Sequence, residues 1–286
     1  MHILIGDSGS TKTDWAYITE DNTKILTTKG LNPNHLTHNE IKEVLLNELG
    51  QQIDIHKTEK LYFYGAGLGN ITAKVSLQTV FEEVFSSTQH ISLAHDVLGA
   101  AQALFGDNEK GIVCILGTGS IAGYFNGQNI IRTTGGLGYL LGDEGSGTYM
   151  GKLLIAEYAQ QKLPQHLEYA LYEHIQVKST EILHYLYKQP RPNHFLAPLT
   201  HFLVKFSEEQ VVKKIIQNAF EDFYQRTLSY LLSLYPECTS IRCVGSVAYL
   251  FEKEFRAVMY SHGIGTDKII QKPIHGIMEK LRKENF

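Results

Sequence analysis

Residues 7–15 read Asp7-Ser8-Gly9-Ser10-Thr11-Lys12-Thr13-Asp14-Trp15 and follow a short apolar run, Ile3-Leu4-Ile5. The run suits a buried strand, and the turn behind it gathers hydroxyls, a glycine, a lysine and two carboxylates. Successive backbone N–H groups in such a turn make an anion-binding concavity, with carboxylates beside it for a metal ion. A P-loop is the first reading, and it fails: Gly6 stands at the right distance from Thr11-Lys12-Thr13, but the glycine before the lysine is missing. The aromatic and β-branched run Trp15-Ala16-Tyr17-Ile18 favours a second strand over a helix. The stretch therefore reads as a hairpin around a phosphate site. An ordinary polar hairpin is the competing reading, because Gly, Ser, Thr and Asp populate turns for local reasons.

Outward from this turn, the first hundred residues alternate strands and helices. Strands are expected at 2–6, 14–19, 25–30, 61–64 and 91–93. Helices are expected at 38–49, from near Thr37 to Gly50, at 72–86, with Val75, Leu77, Val80, Phe81, Val84 and Phe85 at helical spacing, and at 97–105. The pattern then restarts. Gly111–Leu116 reads as a buried strand ending in Gly117-Thr118-Gly119-Ser120, followed by strands at 121–125 and 130–133 joined at Asn126-Gly127. Strand, glycine-hydroxyl turn, strand, strand thus occurs twice, which implies two related halves facing each other across a cleft. From 145 to 235 the chain reads helical, broken at Pro190-Arg191-Pro192, with a long amphipathic helix starting near Ser207. A strand at 241–244, the turn Gly245-Ser246, a helix at 247–261, a strand at 268–270 and a helix after Pro273 close it.

At 286 residues two domains are favoured, since single cores rarely keep growing past about 250 residues. Their expected bounds are 1–106 and 107–272, with a last helix at 273–286 packing back on the first. An apolar content of 43% supports real cores, and a net charge of −4 argues against a nucleic-acid partner, which would need a basic face. There is no signal-peptide pattern at the N-terminus and no run near the roughly 20 apolar residues of a membrane helix, so a cytoplasmic chain without a membrane partner is expected. Cys114, Cys238 and Cys243 lack metal spacing and suggest no disulfide framework, and the 13 histidines are scattered without ligand spacing.

Two further features carry chemistry. Residues 135–151 hold seven glycines in seventeen positions, a density that makes sense where backbone approaches a ligand closely. Within it, Asp143 and Glu144 precede a helix, where carboxylates also serve as caps. Asp96 follows His95 at a strand-to-helix junction, and reads equally as an N-cap or as a general base on a suitable mount.

Taken in order, Asp7–Asp14, Gly117–Ser120, Gly142-Asp143-Glu144-Gly145-Ser146-Gly147 and Val244-Gly245-Ser246-Val247 resemble the N-acetylglucosamine kinase family. That family lies within the activator-type ATPases related to benzoyl-CoA reductase subunits, in the actin, sugar-kinase and Hsp70 superfamily. The resemblance spans essentially the whole chain. It implies an α/β fold of two ribonuclease-H-like (actin-like ATPase) domains, with ATP and an amino sugar in an interdomain cleft. It implies phosphoryl transfer to a sugar 6-hydroxyl, N-acetylglucosamine being the favoured sugar. Asp7, Gly9, Ser10, Thr11 and Lys12 would form the first phosphate loop, with Asp7 near Mg2+ through water. Gly117, Thr118, Gly119 and Ser120 would form the second, and Gly245, Ser246 and Ala197 would lie against the adenosine. Asp96 matches the catalytic base, and Asn34, Gly136, Leu137, Gly138, Tyr139 and Asp143 match sugar-binding positions. Leu36 and Ile121 depart from the family pattern and bear on which sugar is bound. No structural zinc is implied, and a homodimer is compatible with the resemblance. Two other readings stand beside it: an ATPase driving a partner protein, which would need cysteines holding an interface iron–sulfur cluster, and a sugar-sensing module without turnover.

Overall fold

The apolar run near the start of the chain forms β1 (Ile3–Ser8), in which Ile3, Leu4 and Ile5 are fully shielded from solvent. In the computed structural model, which describes the backbone of residues 1–285 and the side chains of residues 1–283, β1 is the centre of a five-stranded sheet. It pairs antiparallel with β2 (Lys12–Ile18), which pairs antiparallel with β3 (Thr23–Lys29). On its other side β1 runs parallel to β4 (Lys60–Gly65), itself parallel to β5 (His90–His95). The sheet order is β3-β2-β1-β4-β5. Parallel neighbours explain why β1 and β4 read as apolar runs, since such strands are covered on both faces.

One face is covered by α1 (His38–Glu43), the π-helical turn Val44–Leu49 that continues it, and α2 (Ile71–Val84). Their apolar residues join Leu4, Trp15 and Phe63 in one core. Thr37 and Glu40 form a reciprocal capping box at the start of α1, and Asn70 caps α2 through Thr72 N–H. Not every apolar residue expected on the inner face of α2 lies there: Leu77, Val80, Phe81 and Val84 are buried, but Val75 is 60% exposed, one turn from the exposed Ile71. α3 (Asp96–Leu104) packs against β1, β4 and β5.

The second sheet repeats the first. β6 (Gly111–Leu116) is central, antiparallel to β7 (Ser120–Phe125), and β7 leads by a hairpin into β8 (Ile130–Gly135). β9 (Ser240–Val244) and β10 (Gly265–Ile270) extend it in parallel, giving the order β8-β7-β6-β9-β10. Between β8 and β9 come α4 (Gly138–Leu141), α5 (Gly147–Ala159), α6 (Gln165–Ile175), α7 (Ile182–Tyr187), α8 (Pro192–Leu196), α9 (Thr200–Lys205), α10 (Gln210–Phe223) and α11 (Ser229–Leu234). Met150, Leu154, Phe220, Phe223 and Phe255 are among the core residues of this unit. The long helix expected from Ser207 begins instead at Gln210, without a side-chain cap, and a π-helical turn at Tyr224–Leu228 separates α10 from α11. The helix expected at 247–261 is two, α12 (Ser246–Leu250) and α13 (Glu252–Ser261). Phe251 leaves helical geometry between them (φ −114°, ψ 36°) and its side chain is buried.

The last helix, α14 (Ile274–Asn285), packs on α3 and β1, with Gly276 against the backbone of Ala103. Residue 286 of the expected helix lies outside the described residues. By contacts, the first unit comprises Met1–Glu109, Gly127–Ile130 and the chain from Lys272 onward; the second comprises Lys110–Asn126 and Ile131–Gln271. No helix among the described residues is long and apolar enough to cross a membrane.

Candidate active site

In the first unit the β1–β2 turn is drawn tight by its own backbone and by the strand beyond it. Gly9 N–H donates to Lys12 O at 3.0 Å, and Gly30 N–H donates to Thr11 O at 3.1 Å. The Ser8 and Thr13 hydroxyls meet at 2.8 Å, and Ser8 Oγ also accepts Leu31 N–H at 2.9 Å. These two buried hydroxyls therefore hold the turn's shape, while Gly9, Thr11 and Lys12 face outward. The ordinary-hairpin reading explains the hydrogen bonds but not the charges behind them.

Asp7 lies on β1 directly opposite Asp14 on β2. Desolvation, then the charges of Asp96 and Asp14, push the Asp7 carboxyl up to about 7, against the pull of Lys12 and Lys272. Asp14 is nearly buried and goes the other way. Burial pushes it up, but Lys12 at 3.2 Å, the Thr27 hydroxyl at 3.0 Å and Lys272 at 3.3 Å outweigh burial and hold it below the ordinary carboxylate range.

Asp96 opens α3, and the residue in N-cap conformation is His95, not Asp96. His95 Nδ1 lies 2.7 Å from Asp96 Oδ1 and Val97 N–H donates to the same oxygen at 2.9 Å. Burial works to lower the His95 pKa, but its hydrogen bond to Asp96 and that carboxylate's charge prevail and raise it. At 2.7 Å from a carboxylate oxygen, which accepts, Nδ1 is placed to donate; Val97 N–H, 3.3 Å from Nδ1, then has Oδ1 at 2.9 Å as its acceptor. Both hydrogen bonds thus converge on Oδ1. Asn34 is exposed, its N–H donating to Asn32 Oδ1 at 2.9 Å and its amide lying against Gly67.

In the second unit the turn Gly117–Ser120 is fastened to the start of α5. Gly147 N–H donates to Gly117 O at 2.8 Å, and the Thr148 hydroxyl donates to Thr118 O at 2.6 Å. Ser120 Oγ donates to Glu144 O at 2.6 Å, so this hydroxyl holds the loop. Gly147 also lies against Ala197 O, which brings Ala197 to the same place. Gly245, at the end of β9, approaches so closely that an added Cβ would sit 2.2 Å from Leu116 O, the residue before Gly117. Gly117, Ala197 and Gly245 thus gather at the carboxyl ends of β6 and β9, with the exposed Ser246 following Gly245, and ligands of open α/β sheets bind at such ends.

Asp143 adopts a left-handed conformation (φ 62°) and its carboxylate accepts Ser120 N–H at 3.3 Å, against Gly119. Burial raises its pKa, with Glu144 adding to the effect and Ser120 N–H and Lys152 opposing it. Gly136, Leu137, Gly138 and Tyr139 precede it, and Lys152 Nζ donates to Tyr139 O at 2.8 Å. The proposed sugar positions therefore divide, Asn34 and Asp96 in the first unit, Gly136–Tyr139 and Asp143 in the second.

Several residues here were not singled out from sequence: Asn32, Asp14 as a charge partner, Thr148, Lys152 and Lys272. Thr148 lies within the glycine-rich motif and Asp14 within the first turn, so a local signal existed. Lys272 lies 258 positions from Asp14 and had none. Cys114 and Cys243 are buried register partners on β6 and β9, and Cys238 is half-buried; all three are free. Among the described residues no group of three or more His, Cys, Asp or Glu side chains is arranged to hold a metal ion.

No protein-family profile matches the chain. A Porphyromonas gingivalis protein provisionally assigned as an N-acetylglucosamine kinase is 33% identical and superposes with a TM-score of 0.91, covering 99% of this chain and 100% of that one. The chain belongs to the N-acetylglucosamine kinase family. A Clostridium acetobutylicum N-acetylmuramic acid/N-acetylglucosamine kinase is 28% identical over 281 residues, 90% of each chain. A Streptomyces griseus ROK-family glucokinase, solved with glucose and AMPPNP, superposes with a TM-score of 0.54 at 15% identity over 99% of both chains, a likeness of fold. The two matching sheets are thus the two lobes of the sugar-kinase fold, and membership of the N-acetylglucosamine kinase family makes the chain a phosphotransferase.

Proposed function

We propose that the chain transfers the γ-phosphoryl group of ATP to the 6-hydroxyl of an amino sugar, N-acetylglucosamine first among them, with Asp96 as general base. The observation that carries this reading is the placement of Asp7 and Asp96 at the carboxyl ends of β1 and β5 of one sheet, where the charge of Asp96 adds to desolvation in raising the Asp7 pKa. Asp96 Oδ1 is occupied by His95 and Val97, which fixes the carboxylate and leaves Oδ2 to take the sugar proton. The Porphyromonas gingivalis and Clostridium acetobutylicum relatives favour an amino sugar, and in this reading Asn34, Gly136, Leu137, Gly138, Tyr139 and Asp143 recognise it.

Phosphoryl transfer is mostly positioning and charge neutralisation. In this reading Gly9, Ser10, Thr11 and Lys12 receive one set of phosphate oxygens and Gly117, Thr118 and Gly119 another, with Ser120 acting as the clasp behind its loop. Ala197, Gly245 and Ser246 hold the adenosine. A half-buried carboxyl whose proton affinity is raised by desolvation and then by the charges of Asp96 and Asp14 suits a single carboxylate contact to a divalent cation that keeps most of its waters, as Mg2+ does. Asp7 would hold it through water, and the ion would supply neutralising charge to the phosphates.

The test is ADP release from ATP and Mg2+ over a panel that includes N-acetylglucosamine, N-acetylmuramic acid, N-acetylmannosamine and glucose, with the phosphorylated position read by NMR. Release with an amino sugar and a phosphate on carbon 6 supports the proposal. Background release with every sugar, or full activity in Asp96→Asn, overturns it.

A further inference from the structure

Asp14 carries two ammonium groups. Lys12 Nζ lies 3.2 Å from Oδ2, and Lys272 Nζ straddles the carboxylate at 3.3 Å from Oδ2 and 3.4 Å from Oδ1. One cation is enough to neutralise one carboxylate, and the Thr27 hydroxyl donates to Oδ1 as well. The second charge is in excess of what the fold requires at this carboxylate. It is also accessible, since the Lys272 side chain is 41% exposed while that of Asp14 is 4% exposed. A lysine that is half in solvent and bound to a carboxylate already paired gains little from that contact.

The surroundings say what the surplus charge is for. Asp14 lies opposite Asp7, whose proton affinity the charge of Asp96 also raises, so the two ammonium groups on Asp14 stand beside further acidic groups. A polyphosphate arriving at the turn meets those acids, and its terminal phosphates depend on the few cations within reach, of which Lys272 is one that the Lys12–Asp14 pair does not need. We infer that Lys272 is a phosphate-binding residue, which with Lys12 forms a two-lysine clamp, anchored on Asp14, for the terminal phosphates of the nucleotide. The inference rests on the kinase reading and adds to it a residue outside all four motifs. Lys272 is the first residue of the segment by which the chain rejoins the first unit. The phosphate turn is therefore completed by the far end of the sequence.

Binding of ATP, ADP and AMP to the full chain, measured by calorimetry with Mg2+ and without sugar, tests this. A charge-assisted contact to a terminal phosphate predicts that Lys272→Met weakens ATP roughly ten-fold or more, ADP less, and AMP not at all. Lys272→Arg recovers most of the loss. Lys272→Gln, which keeps a polar end, gives the same ordering with less disturbance of packing. An equal loss for all three nucleotides makes Lys272 a structural residue and overturns the inference, as does ATP binding unchanged in Lys272→Met. Absence of ATP binding by the unsubstituted chain removes the kinase reading itself, so the two failures are distinct.

Discussion

Replacing Gly245 by alanine tests whether the nucleotide end of the second sheet depends on backbone contact between β9 and β6. The Cβ would lie 2.2 Å from Leu116 O and 2.6 Å from Leu116 C, both backbone atoms of a central strand. Nothing there is the flexible end of a side chain, so the strands must part. Gly245 also holds φ 120° and ψ 156°, a region open essentially to glycine alone. Backbone strain of this kind costs about 1–3 kcal/mol, and forced overpacking adds about 1–3 kcal/mol. Together that is about 2–6 kcal/mol, a large part of the 5–15 kcal/mol that holds a typical domain.

Gly263 is the matched control, with φ 74° and no atom within 4 Å of an added Cβ. Gly263→Ala should suffer the conformational cost without the overlap. Denaturant unfolding of both variants is expected to show Gly245→Ala shifted by about twice the Gly263→Ala effect, the overlap adding to the shared backbone cost. ATP affinity should fall only in Gly245→Ala, because Leu116 leads directly into the turn at Gly117. Equal shifts in the two variants, or a Gly245→Ala protein with unchanged stability and ATP affinity, would refute the argument.

Three further outcomes are expected. Asp96→Asn keeps the hydrogen-bond geometry but loses the base, so kcat should fall about 10²–10⁴-fold with little change in melting temperature; a loss of stability with kcat retained would contradict the role. Asp143→Asn should stabilise the protein at neutral pH while impairing sugar use. The buried acid's raised pKa means the folded state holds its proton where the unfolded state does not, so stability declines as pH rises from the ordinary carboxylate range through the raised value. The gain over the parent should be full above that window and vanish below it in paired melting curves; a gain independent of pH would mean that relief of the left-handed backbone, not charge, is responsible. Ser120→Ala strands the buried Glu144 carbonyl that its hydroxyl satisfies at 2.6 Å, and should cost about 1–3 kcal/mol in denaturant titrations; no cost would mean that water replaces the hydroxyl.

The amino-acid sequence by itself determined the class of the fold and the place of its turns. Period-two and period-3.6 apolar patterns, with glycine and hydroxyl residues at the breaks, are local signals, and they located both copies of the strand-turn-strand-strand unit. Local patterning taken as a mere count of apolar residues misplaces Val75, which stands two positions before Leu77, about 200° round the helix from it, and so lies on the face away from Leu77, Val80, Phe81 and Val84 and is 60% exposed. It could not foresee the break at Phe251, since burying that ring is decided by the core it enters. Nor could it assign jobs among residues of one motif. Ser8, Thr13 and Ser120 look like phosphate ligands in a list of residues, yet their hydroxyls are consumed by holding their own loops. The charge balance was beyond the sequence altogether. Asp14 and Lys272 stand at opposite ends of the chain, and only the return of the last segment to the first sheet brings the ammonium group to the carboxylate, because a Coulomb interaction depends on distance in space and not along the chain.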